Sequence, residues 1–151
     1  MSDNLRRYRA ICHALMQAYP TSPTGHFARH VQTLAALMSG IVGGKSTQLP
    51  HIATKVPDGS KPESRVKRFA RWLRNDHVTD DVYFVPYAEH LLCHLALQTL
   101  VLVMDGSVVG RGCVALMVHV VYKGRALPIA WLAWRVSRSP CRFRIQVRRS
   151  R

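Results

Sequence analysis

Acidic side chains are scarce in this 151-residue sequence: 8 Asp and Glu stand against 22 Lys and Arg, for a formal charge of +14. The shortage is uneven. Beyond Glu89 there is one carboxylate, Asp105, and none follows it, so any chemistry that needs several must draw on the first 105 residues. The four cysteines, Cys12, Cys93, Cys113 and Cys141, form no C-x-x-C pair, which favours buried thiols in a reducing cytoplasm over a zinc site. The longest uncharged apolar stretch, Leu91 to Met104, is 14 residues, short of the ~18 to 20 that a membrane span needs. Asp3 and the Arg6, Arg7, Arg9 cluster lead into no apolar core of a secretory leader. The expected location is therefore the cytoplasm, and no membrane. A hydrophobic fraction of 48% excludes a wholly disordered chain.

What is abundant is base, and its position is informative. Residues 1–60 hold 6 basic and 2 acidic residues, 61–75 hold 6 and 1, 76–134 hold 3 and 5, and 135–151 hold 7 and 0. Two short stretches thus carry 13 of the 22 cations, and a polyanion heads the candidate partners.

Leu5, Tyr8, Ile11, Cys12, Leu15 and Tyr19 recur at helical spacing up to Pro20-Thr-Ser-Pro23. Phe27, Val31, Leu34, Leu37 and Met38 repeat the pattern up to Gly40 and Gly43-Gly44. The reading is a helical hairpin. Leu49, Ile52, Ala53 and Val56, then Val66, Phe69, Ala70 and Leu73, predict two short helices about a turn at Pro57-Asp-Gly-Ser60. Ser60 and Glu63 have capping-box spacing, with Pro62 in the first turn, where its missing N–H is harmless. Opposite the apolar stripe stand Arg65, Lys67, Arg68, Arg71 and Arg74. Phosphates would relieve their mutual repulsion and release counterions, which predicts a helix-turn-helix at 47–75 with these five as DNA contacts. A merely solvated basic face is the competing reading.

Thr79, with Asp80 and Asp81 in a favourable first turn, opens a third helical stretch towards Leu97, with Pro86 near its true start and Val85, Ala88, Leu91, Leu92 and Leu95 as its buried stripe. His90 and His94, four apart, lack a third ligand and read as surface histidines. Thr99 to Asp105, Cys113 to Tyr122 and Arg125 to Trp134 then read as three strands of an antiparallel meander with a turn at Lys123-Gly124, the first strand being buried on both faces. Asp105, where that first strand is expected to end, is placed as a metal ligand can be; Asp105-Gly106 is also the commonest hairpin-turn signal, and the residues alone favour the turn. The fold class is α+β.

The run Leu100-Val-Leu-Val-Met-Asp-Gly-Ser-Val-Val-Gly-Arg-Gly-Cys-Val-Ala-Leu-Met-Val-His-Val-Val-Tyr-Lys-Gly-Arg-Ala-Leu-Pro-Ile-Ala-Trp-Leu132 resembles the start of the catalytic core of bacterial DDE transposases of the insertion-sequence-four type. Residues 5–97 are more weakly similar to the DNA-binding region that precedes it. The resemblance implies a helical DNA-binding region over 1–97. It also implies the first three antiparallel strands of an incomplete ribonuclease-H-like core over 98–134, with Asp105 as the first catalytic, metal-binding aspartate. In the complete family site two Mg²⁺ ions, held by Asp, Asp and Glu, drive DNA cleavage and strand transfer. The implied partner is double-stranded DNA at an element's terminal inverted repeats, with a dimer as one candidate state.

No Asp or Glu follows Asp105 to supply the second and third ligands, so this chain is expected to be inactive alone. Residues 135–151, with seven Arg and no Lys, read as a basic, frame-shifted tail on a truncated transposase, although Cys141, Phe143, Ile145 and Val147 alternate as a strand would. A stand-alone helix-turn-helix regulator is the alternative. An RNA-binding protein ranks below both, because Tyr83, Phe84, Tyr122, Trp131 and Trp134 fall mostly in expected core segments.

Overall fold

A computed structural model describes residues 2–96, 99–110 and 112–135. Among them are six helices and a three-stranded sheet, an α+β chain. The chain divides into two compact units, Met1–Leu95 and Ala96–Arg151. The tail expected after Trp134 lies, from residue 136 onward and with Cys141, outside the described residues. Among the described residues, no helix is long and apolar enough to cross a membrane.

The first unit is helical. Its first helix, α1 (Asp3–Gln17), starts at Ser2, whose hydroxyl accepts from the Leu5 N–H, and carries Asp3 in its first turn, where the helix dipole favours an acid. The second, α2 (Gly25–Gly44), ends where Lys45 turns left-handed at φ 49°. Then follow α3 (Leu49–Thr54), α4 (Pro62–Leu73), α5 (Asp80–Tyr83) and α6 (Val85–Leu95). The hairpin of α1 and α2 and the α3–α4 pair agree with the sequence periodicities. Helices α5 and α6 divide just before Pro86, and of the five-residue stripe expected there only Ala88 is buried.

Two apolar clusters hold the unit together. One joins Ala36 and Leu37 of α2, Ile52 and Ala53 of α3, Val56, and Phe69 and Trp72 of α4. The other joins Leu15 to Val31 and Ala35, and Tyr8, Leu34 and Tyr83 pack against both. Helices α2 and α3 meet at a glycine. A Cβ on Gly40 would lie 2.4 Å from Ile52 Cγ2 and 2.9 Å from the Ile52 carbonyl oxygen, so this approach admits no side chain.

The stripe on α4 differs from expectation by one position. Phe69 and Trp72 are buried, whereas Leu73 is 57% exposed. Trp72 is the larger apolar surface, and seating it turns Leu73 outward. The capping box does not form. Lys61 occupies the N-cap without a side-chain bond, and the Ser60 hydroxyl donates to Asp58 instead.

The second unit is an antiparallel meander, β1 (Leu102–Gly110), β2 (Cys113–Tyr122) and β3 (Arg125–Arg135), in the order β1-β2-β3. Lys123 and Gly124, at φ 48° and 73°, make the two-residue turn with both central residues at positive φ that suits the strand twist. A register shift between Val118 and His119 skips Ile129 beside Pro128, where a bulge on an edge strand accommodates a residue that cannot donate. Two expectations fail on β1. The strand continues through Asp105 and Gly106 to Gly110, so that dipeptide is neither a strand end nor a turn. It is also exposed along its length from Leu102 to Val109, not buried on both faces, since an apolar run records β propensity without recording what covers it. The thiols differ as well: Cys12 and Cys113 are half-buried and Cys93 is exposed.

Candidate nucleic-acid interface

The geometry of α4 is set by one carboxylate. Asp58 is the only acid between Asp3 and Glu63, and it sits in the connection between α3 and α4. Its Oδ1 accepts from the Ser60 N–H at 3.0 Å and from Arg65 Nε at 2.6 Å, and its Oδ2 accepts from Arg68 Nη2 at 2.6 Å. Arg65 also donates through Nη1 to the Ala53 carbonyl at 2.7 Å and through Nη2 to the Asp58 carbonyl. One guanidinium thereby ties the last turn of α3, the connection and the second turn of α4 together. Burial works to raise the Asp58 pKa, but the bonds from Ser60, Arg68 and Arg65 outweigh it and hold the carboxyl at about 2.

This clasp sorts the five cations of α4. The Arg65 side chain is only 11% exposed and Arg68 is 38% exposed, its guanidinium 5.3 Å from the Phe69 ring centroid. Lys67, Arg71 and Arg74, spaced i, i+4, i+7, are exposed and share one face. Two of the five are therefore engaged inside the unit and three face outward. The connection over 55–61 is seven residues, longer than the three or four of the helix-turn-helix motif.

Sequence periodicity passed over Arg29 on α2. It lines a hollow of about 260 Å³ together with His30, Thr33, Arg68, Arg71, Trp72 and Asn75, so a second helix adds a cation beside α4. Nothing in the spacing of residues 25–44 marks it, since the contact arises only when α2 packs against α4.

Asp105 lies within β1, opposite Met117, exposed, and accepts from the Ser107 hydroxyl at 3.3 Å. No group of three His, Cys, Asp or Glu side chains able to hold a metal ion occurs among the described residues. A two-magnesium centre needs several anionic oxygens at fixed spacing, and one carboxylate with one hydroxyl does not fit it. His90 and His94 sit with ring centroids 4.3 Å apart, and His94 Nδ1 lies 2.8 Å from the His90 carbonyl oxygen. No family model, curated protein or solved structure matches the chain.

Proposed function

We propose that the helical unit binds double-stranded DNA through the outward face of α4, in the manner of the DNA-binding region that precedes a transposase core, and that this chain alone neither cuts nor joins DNA. The observation that carries the reading is the stripe of Lys67, Arg71 and Arg74, exposed on a helix that the Asp58 clasp holds in place. The resemblance of residues 100–132 to the transposase core supports the choice of DNA over other polyanions. The single carboxylate beyond Glu89 supports the absence of cleavage.

The test is equilibrium binding of the full chain to a duplex selected from a random pool and to its shuffled counterpart, across a salt series. Replacing Lys67, Arg71 or Arg74 by Ala lowers affinity, and the log–log salt slope falls by about 0.9 for every phosphate that is no longer neutralised. Slopes unchanged in all three variants would refute the α4 interface. A nicking assay in Mg²⁺ tests the second half. Cleavage by the chain that disappears in Asp105→Ala would overturn it.

A further inference from the structure

The hollow between α2 and α4 carries charge of one sign. Arg29, Arg68 and Arg71 line it and no carboxylate does, so three guanidinium groups share one concavity, of which Arg68 is paired with Asp58. Two of its lining side chains carry buried N–H donors without a partner: Arg68 Nε, and Nε1 of Trp72, a residue only 8% exposed. Buried donors in folded proteins are almost always paired, so these two mark the cationic wall of the hollow as short of acceptors.

The surrounding bonds prepare these donors. Asp58 holds one arm of Arg68, Nη2 at 2.6 Å, and the Phe69 ring lies beneath its guanidinium, so the fork keeps a set orientation while its Nε has no acceptor. The Asn75 side-chain oxygen accepts from the His77 N–H at 3.0 Å, which leaves its NH₂ as the free donor of that amide. The ligand this set fits is compact, anionic and rich in acceptor oxygens. We infer that the groove between α2 and α4 is a phosphate-oxyanion site, formed by the Arg29, Arg68 and Arg71 guanidiniums with the Asn75 amide. Guanidinium forks match phosphate bidentately, and about 260 Å³ has room for the group. The inference stands on the groove itself and does not require the DNA reading of α4.

The phosphate can come from a nucleic-acid backbone or from free inorganic phosphate, and two measurements on the full chain separate the sources. In the first, the Arg68 Nε–H resonance is followed by NMR while inorganic phosphate is added, against chloride at equal ionic strength. A saturable displacement with phosphate only is expected, weakened at least ~10-fold in Arg29→Ala/Arg71→Ala, whose replaced side chains are both exposed. No saturable displacement, or one of equal affinity in the double variant, overturns the site whatever the chain does with DNA. In the second, Arg29→Ala is placed in the duplex-binding salt series. A slope reduced by about 0.9 assigns the site to a backbone phosphate, and an unchanged slope beside a positive phosphate titration assigns it to the free anion. A positive titration in a chain that binds no duplex keeps the site and removes the reading of α4.

Discussion

Replacing Asp58 by Asn removes the charge of the clasp while keeping its shape and part of its hydrogen bonding. The carboxyl titrates at about 2 in the folded chain against an ordinary 3.8, and at ~1.4 kcal/mol for each pH unit this sets a ceiling of about 2.5 kcal/mol on its contribution near neutrality. The Asp58 side chain is 32% exposed, so solvent screening lowers the expected effect to about 1 kcal/mol. The sign follows from the direction of the shift. A carboxyl whose pKa is depressed on folding stabilises the fold at pH values above its unfolded pKa, and that stability is lost as pH falls through the folded value. Urea unfolding followed by helix ellipticity should therefore show the parent chain more stable than Asp58→Asn by about 1 kcal/mol at pH 7, with less than half of that gap left at pH 2.5. A gap of the same size at both pH values would refute the electrostatic account and leave packing of the turn as the cause. No gap at either would mean that Arg65 holds α3 to α4 through the Ala53 and Asp58 carbonyls alone.

The other expectations concern packing and the sheet edge. Gly40→Ala puts a methyl 2.4 Å from Ile52 Cγ2 and should cost about 1–3 kcal/mol by urea unfolding, as overpacked cores do; a neutral result would mean that α3 shifts freely against α2. Val108→Lys replaces the most exposed large apolar side chain of β1, 79% accessible, and should slow concentration-dependent aggregation measured by light scattering without changing helix ellipticity. Equal aggregation rates would place the sticky surface elsewhere than on that edge.

Which parts of the fold were legible follows from what kind of signal encodes them. Periodicity marks the faces of α1, α2 and α3, and Lys123-Gly124 marks its turn, because local backbone geometry and local residue choice coincide there. The course of β1 was not legible beyond Asp105. Gly106 reads as a break, yet the β1–β2 register carries the strand through it, with Gly106 opposite Leu116. Nor was exposure legible. Leu102, Val103 and Met104 have the composition of a doubly covered strand and are 57%, 44% and 67% exposed, since cover is a property of the neighbours and not of the run itself.

The candidate site was legible as charge and illegible as free charge. Counting five cations on α4 treats them alike, yet one carboxylate ten residues before Arg68 engages two of them. The available signal was the isolation of Asp58. A single acid within a basic stretch, placed in a turn where Pro57 restricts the backbone, draws the nearest guanidiniums to itself. That pairing supports a DNA-contacting role for α4, because Arg65, which ties the helix to its neighbours, is distinct from Arg71 and Arg74, which face outward. Substitutions at Arg65 should then act on stability first and on DNA affinity only through it, while those at Arg71 should act on affinity with stability unchanged. A chain in which both substitutions moved both quantities equally would have no such division of labour, and its basic face would be no more than solvated surface.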